Sequence, residues 1–333
     1  VMDMLYFYAM GHQADVDVRW ARRPIPSSLL NPMVARIQSD AEKAQTTAEV
    51  MGNSVVTEVV VEEGKATCVK VKQRGNDQET TLQPDAVVLA VGVKGLTKIV
   101  ENSPSLAQAS PGLRRSTDMQ TLDVISTRIW LDKRVMCSFP SNILADFEEL
   151  EGAGATFFCL EELQDNPWGW NNTGSPPKGS VIAADFYGAT NLMRLTDEEI
   201  LRRLTQVMLP AANPAFSSAK VVDSWVMKFP GAVTHFSPGS AALRPPMDIP
   251  QVSNLVVAGD LVKGLDHGSA GLSQERAYVS GLAAGNLLIG RQGGRQRHEI
   301  LATEEDEPQF KAALDAVRAA ESLRKSFFGS PST

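Results

Sequence analysis

The residues able to do chemistry concentrate in one stretch, Asn254 to Leu288, which reads NLVVAGDLVKGLDHGSAGLSQERAYVSGLAAGNLL. An apolar run without alternation ends in Gly259-Asp260, a glycine-rich loop follows, and a helix of small residues is expected from near Ser273. A carboxylate at the carboxyl end of a buried strand can accept hydrogen bonds from sugar-type hydroxyls. The N–H groups that open the following helix can then face an anion. Gly-Asp after a strand is also plain turn chemistry, so the helix sharpens the pattern. Ser280-Gly281 and Ala283-Ala284-Gly285 put small residues three to four apart, which lets one helix face approach another backbone or a flat ring. Tight helix packing is the other reading of that spacing.

Of the four histidines, His267 in Asp266-His267-Gly268-Ser269 lies between the Gly-Asp strand and the helix. There it either meets a ligand as a group that titrates near neutrality or orders the loop as a donor. His235 lies in AVTHFSPG, flanked by Lys228 and Arg244, whose plain reading is solvated surface charge. His12 and His298 read as surface residues. No two histidines have metal-ligand spacing, so no metal is expected, and no Ser-His-Asp set or nucleophile elbow occurs.

Several elements must position this stretch. VVTEVVVEEGKATCVKV, Val55 to Val71, reads as a hairpin turning at Glu63-Gly64. Pro84 to Gly92 carries an apolar run that suits a strand buried on both faces. The Ser- and Pro-rich stretch Asn102 to Pro111 reads as a crossing loop between domains. Short β-rich pieces then recur at Leu122 to Val135, Phe157-Phe158, Val181 to Tyr187 and Lys220 to Met227, which suggests a mostly antiparallel second sheet. Thr196-Asp197-Glu198-Glu199 is a capping box opening a helix that Pro210 is expected to stop. Asp165 to Lys178 reads as a surface loop whose Asn171-Asn172-Thr173 sequon is accidental. Beyond Gly290, an acidic TEEDE segment precedes a helix with Phe310, Leu314, Val317 and Phe328 near one face, the pattern of a docking helix.

Composition bounds the function classes. The chain has 333 residues, 43% of them apolar and 21% charged, which is enough apolar material for packed cores and argues against disorder. At this length two domains are expected. With 32 Lys+Arg against 39 Asp+Glu, the net charge of −7 argues against nucleic acid or anionic membrane as the main partner. No apolar run approaches the ~20 residues of a membrane span. The widely spaced Cys68, Cys137 and Cys159 fit neither a disulfide scaffold nor a metal knuckle and point to a reducing compartment. The opening VMDMLYFYAMGH lacks the basic start and small-residue cleavage site of a secretory signal.

Taken together, NLVVAGD, HGS and QERAYVSGLAAGNLL resemble the carboxyl-terminal FAD-binding segment of the flavin-containing amine oxidase superfamily, whose usual form is AGD or AGTE, then EGA, then SG. Within it the chain is most similar to the carotenoid (phytoene and ζ-carotene) desaturase-like oxidoreductases of plants and algae. GATFFCLEEL, SVIAADFYGATNLMRLTDEEI and SWVMKFPGAVTHFSPGS carry that likeness, which covers roughly Asn31 to Gly290. The resemblance implies FAD as cofactor, with Val56 and Ala90 near the adenine, Gly259 and Asp260 at the ribityl or pyrophosphate region, and Gln274, Glu275 and Ala277 at the helix start beside the flavin. It implies a plastid location, a small apolar substrate and room for peripheral membrane contact. It gives no oligomeric state. Catalytic residues stay unknown, with His235 and His267 as candidates, because the family brings the His235 segment close to the flavin.

The chain departs from the pattern in two places. Arg276 stands where the family has the Gly of EGA. No GxGxxG occurs, the nearest run being Gly152-Ala153-Gly154-Ala155-Thr156-Phe157. Because the family's dinucleotide fingerprint precedes every matched segment, a piece of a longer chain is expected, in keeping with its opening at Val1.

The expected fold is α/β plus α+β: a split Rossmann-like FAD domain, incomplete at its N-terminus, with a β-rich substrate domain inserted. The boundaries are 1–111 and 236–290 for the FAD-binding parts, 112–235 for the insertion and 291–333 for a linker and helix. The expected activity is FAD-dependent dehydrogenation of a long apolar, carotenoid-like substrate. Oxidation of a polar amine is one alternative, although Ser273 stands where an amine oxidase has a cage aromatic and TRIWLD offers no counterpart to its lysine. A truncated, inactive remnant is the other.

Overall fold

The computed structural model describes residues 20–75, 78–165, 179–267, 274–295, 297–303 and 308–328. A π-helical turn, Pro26–Leu30, runs into α1 (Asn31–Lys43), which buries none of its residues. The β-branched runs form β1 (Ser54–Glu62) and β2 (Lys65–Gln73), with β3 (Glu79–Leu82) paired on β2. Glu63 and Gly64 close the hairpin with φ of 48° and 73°, the two left-handed residues of a tight turn that matches strand twist. Next come β4 (Val87–Leu89), α2 (Val93–Glu101), α3 (Pro104–Ala109) and α4 (Pro111–Arg115).

A long β5 (Gln120–Leu131) then opens a five-stranded antiparallel sheet with β6 (Ser141–Leu144), β7 (Gly154–Cys159), β8 (Val181–Tyr187) and β9 (Val221–His235), in the order β6-β7-β8-β5-β9. Helix α5 (Asp197–Arg203) lies between β8 and β9 in sequence. The chain returns to β4 through β10 (Leu255–Val257), which pairs with it in parallel, Val88 opposite Val256, before α6 (Gln274–Arg291) and α7 (Pro308–Phe328). The protein is thus a mixed helix and sheet structure in which the antiparallel sheet falls between two parallel strand partners.

Two apolar cores hold it together. One gathers Val59 and Val69 of the hairpin, Leu89, Leu255 and Val257 of the parallel pair, and Leu96 and Leu106 of α2 and α3. The other packs one face of the five-stranded sheet, Ile125, Ile129, Phe157, Ile182 and Phe186, against Ile200, Leu204 and Met208. A single side chain ties the hairpin to the parallel pair. Asn254 accepts from Ala66 N at 2.7 Å and donates to Ala66 O at 2.9 Å and Asp85 O at 3.1 Å, so the hairpin turn sits at the amino end of β10.

Four sequence expectations differ from the structure. Val88 is 43% exposed, so β4 is not buried on both faces; its sheet has only two strands among the described residues, and α6 covers Val256 on that side while Val88 is left open. Asn102 to Pro111 is not an open crossing, since Pro104 and Pro111 each start a helix and Leu106 is fully buried. Ser followed by Pro is the N-cap and first-turn pair as readily as it is a loop signal. Ser110 caps Leu113 N, and buried Ser103 donates to Ile99 O while accepting from Val59 N.

Pro210 does not stop its helix. Thr196 accepts from Glu199 N as a cap should, but a π-helical turn at Leu204–Met208 follows, and Leu209–Ala212 continues through the proline. The wider turn accommodates a residue that has no N–H to donate. Finally, the helix expected to dock, α7, leaves Val317 and Leu323 exposed among its described side chains, with Leu314 half-buried. An apolar stripe says which face could be covered, not what covers it. The side chains of Phe310 and Phe328, His12, and the Asn171 sequon lie outside the described residues.

Asn254→Ala leaves the buried Ala66 N–H without an acceptor. It should lower the unfolding free energy by about 2 kcal/mol, read as a shift in the denaturant midpoint. Asn254→Asp should not restore it, because a carboxylate cannot donate to the two carbonyls.

Candidate functional site

The carboxyl ends of β4 and β10 meet α6 through backbone that only a small residue allows. Ala258 N donates to Leu89 O at 3.1 Å, which extends the parallel ladder by one residue. Gly259 then takes φ of 129°, and a Cβ on it would fall 2.8 Å from the Leu261 side chain. Its N–H donates to the Ser280 hydroxyl at 2.7 Å, and Ser280, fully buried, donates in turn to Ala277 O at 2.6 Å. The small-residue face of α6 is therefore what brings the helix against the end of the strand.

From Asp260 to His267 the chain forms no helix or extended strand, and two arginines satisfy its carbonyls. Arg276, only 4% exposed, donates from Nε to Asp260 O at 3.2 Å. Its terminal nitrogens reach Val262 O at 2.9 Å, Leu265 O at 2.7 Å and His267 O at 3.3 Å. Arg244 donates to Asp260 O, Leu261 O and Val262 O at 3.0, 2.9 and 2.7 Å, with its guanidinium 5.0 Å above the Phe236 ring. Burial pulls both guanidinium pKa values down, and for Arg244 the neighbouring Arg276 adds to the effect. The Asp260 carboxyl is pushed up by burial, against which the charges of Arg244 and Arg276 and the N–H groups of Leu261 and Asp260 itself act.

The sequence-expected residues distribute around this junction. Gly259 and Asp260 are half-buried at the end of the strand. Ala90 is exposed just past β4, and Gln274, Glu275 and Ala277 are exposed on the first turn of α6. Val56 is on the hairpin, opposite Val71 and packed against the first core, rather than at the strand ends. Half-buried His235 closes β9 opposite Gln120 and immediately precedes the Phe236 that Arg244 covers. His267 Nε2 donates to Leu301 O at 2.6 Å, and its Nδ1 is buried and without a partner among the described residues. Ser273 lies outside the described residues.

Sequence reasoning undervalued the arginines. Arg244 is no solvated surface charge, and neither is Lys228, which bonds Leu195 O and pairs with Asp197 at 3.1 Å. Arg276, read as a departure from the Gly of EGA, closes the loop. The available signal was its place inside the small-residue helix face, where a long charged side chain has to turn inward. Gly152, with φ of 88°, turns the chain into β7 of the antiparallel sheet and belongs to no phosphate-binding turn.

No protein-family model matches the chain, and no curated protein matches it. Among solved structures it is similar to cyclohexylamine oxidase from Brevibacterium oxydans, with a TM-score of 0.47 and 14% identity over 78% of this chain and 52% of that one. A triple mutant of a flavin-dependent brominase gives 0.40 and 13% over 89% and 65%, and an oxidoreductase from Methanosarcina mazei gives 0.38 and 14% over 69% and 48%. The chain spans about half the length of the cyclohexylamine oxidase chain.

Two outcomes check this geometry. Arg276→Lys gives up the planar fork that reaches several carbonyls and should cost about 2–3 kcal/mol of stability by chemical denaturation. Asp260 has a folded pKa above its unfolded one, so its ionisation opposes folding: stability falls as pH rises from the ordinary carboxylate value through the raised one, and the loss persists at neutrality. Asp260→Asn should therefore melt higher than the parent at pH 7, with the gap closing at pH values below the ordinary carboxylate range.

Proposed function

We propose that the chain carries the adenosine-side and ring-side elements of an FAD-dependent oxidoreductase that dehydrogenates a long apolar, isoprenoid-like substrate. One observation carries this reading: a glycine and a half-buried acid end a parallel strand directly beside the exposed first turn of an 18-residue helix. That is the place where open α/β sheets bind dinucleotides.

The residues present fit such a group. Asp260 places its carboxyl beside two guanidinium groups, a position suited to hydroxyls of a ribityl or ribose chain. Gln274 and Glu275 open α6 at the positive end of the helix dipole, which stabilises negative charge on a ring placed there. Bound at this position, FAD supplies a ring that accepts a hydride. Ala277 and Gly281 keep the helix surface low, and Ala90 does the same at the end of β4. Val56, on the hairpin, is assigned to the adenine side by the sequence resemblance alone.

The substrate class rests on the open face of the five-stranded sheet, where Trp225, Met227, Phe229 and Tyr187 are exposed side by side. His235, which ends β9 immediately before the Phe236 that Arg244 covers, serves as the candidate for orienting substrate. His267 is the weaker candidate, because its Nε2 is committed to Leu301. A plastid location and peripheral contact with a membrane that stores the substrate follow from the resemblance. No helix among the described residues is long and apolar enough to cross a membrane.

The test is the visible spectrum of protein incubated with FAD and freed of excess by gel filtration. Flavin absorption that travels with the protein is expected, and Asp260→Ala should weaken retention by about tenfold or more. A folded protein that stays colourless would contradict the reading.

A further inference from the structure

The five-stranded sheet has one face in the second core; its other face is covered by Leu160 and Leu163 at Val181 and Ala183 and open around Trp225, Met227, Phe229 and Tyr187, and that open part is not uniformly apolar. In-register pairing puts Arg128 of β5 opposite Trp225 of β9 and Ala183 of β8. The next position on the same face places Ser126 opposite Met227 and Asp185, and the one after it places Val124 opposite Phe229 and Tyr187. Trp225 is 62% exposed, and Met227, Phe229 and Tyr187 are also exposed. Arg128 is therefore a cation set among large apolar side chains.

That cation makes no hydrogen bond or ion pair among the described residues, and its Nε is buried with no acceptor. The nearest opposing charge, Asp185, takes the Ser126 hydroxyl at 2.6 Å and offsets the burial of Arg128 only through space. Every other arginine that this structure draws inward is anchored: Arg203 by Glu151 and Glu199, Arg244 and Arg276 by loop carbonyls. A buried Nε–H without an acceptor is costly, and a ligand carboxylate matches the planar guanidinium fork in shape and charge.

We propose that this face binds a long-chain carboxylic acid, with the carboxylate on the terminal nitrogens of Arg128 and the hydrocarbon chain lying across Met227, Phe229 and Tyr187. The apolar row runs from Trp225, opposite Arg128, along β9 through Met227 to Phe229, so a chain anchored at the arginine follows that strand. The proposal deepens the reading above, on which it rests for the reaction: the apolar substrate would carry an acidic end that fixes its register on the sheet.

Tryptophan fluorescence of the full chain, titrated with hexadecanoate, hexadecanol and hexadecyl phosphate below their aggregation limits, tests this without any flavin readout. The acid should bind about tenfold or more tighter than the alcohol, and Arg128→Gln should erase that preference while leaving alcohol binding unchanged. Arg128→Lys should restore part of it. Equal binding of acid and alcohol by the parent, or a preference that survives Arg128→Gln, would overturn the proposal. Tighter binding of the phosphate than of the acid would overturn the carboxylate assignment. Sedimentation showing a dimer that Trp225→Ser dissociates would instead give the face to a second copy of the chain. Flavin absorbance recorded on the same samples separates the two readings: retained flavin without acid preference sinks this proposal alone, and acid preference in a protein that never retains flavin sinks the oxidoreductase reading alone.

Discussion

The fold of the candidate site depends on a buried guanidinium. Arg276 sits inside α6 at 4% exposure and meets the carbonyls of Asp260, Val262, Leu265 and His267, a stretch with no regular structure to satisfy them. Backbone oxygens drawn out of water need donors, and one planar side chain supplies several from a single anchor point. Because that anchor belongs to the helix and the carbonyls belong to the chain leaving β10, the interaction fixes strand and helix relative to each other. Ser280 does the same one turn on, through Gly259. The acid at position 260 is fixed through its own backbone carbonyl, which Arg244 and Arg276 both reach.

Everything else positions that junction or opens onto it. Asn254 locks the hairpin at the amino end of β10. The antiparallel sheet is joined to the first core where β5 and β9 come together: Lys94 of α2 donates to Pro230 O at 2.8 Å, and Gly231, with φ of 62°, donates to Asp123 where a bulge in β9 interrupts the pairing. A bulge there turns β9 so that His235 and Phe236 arrive beside Arg244. The sheet thus presents one face to its own core and leaves part of the other, with Arg128 and its aromatic and thioether neighbours, facing outward.

Much of this was legible in the sequence where the signal is local. β-branched runs around Glu63-Gly64 could only be a hairpin, and Thr196 three residues before Glu199 marks a helix start that the hydrogen bond realises. What escaped depended on partners distant in sequence. Whether Val88 is covered is decided by how many strands join β4, not by the residues around it. Ser103-Pro104 and Ser110-Pro111 carry the same letters in a loop and at a helix start, and burial of Leu106 decides between them. Arg244 and Arg276 look like surface charge and motif mismatch until the carbonyls they satisfy are placed beside them. Arg128 carries no signal at all in one dimension, since its exceptional feature is the acceptor it lacks.

The central claim is that the junction of Gly259, Asp260 and the start of α6 is where FAD binds, and hydrogen–deuterium exchange with and without FAD addresses it most directly. The account predicts slowed exchange confined to Leu255 through His267 and the first turns of α6, with the strands of the antiparallel sheet unchanged. Unchanged exchange across the junction, or slowing only at the opposite end around Asp85, Asp248 and Arg291, would contradict it.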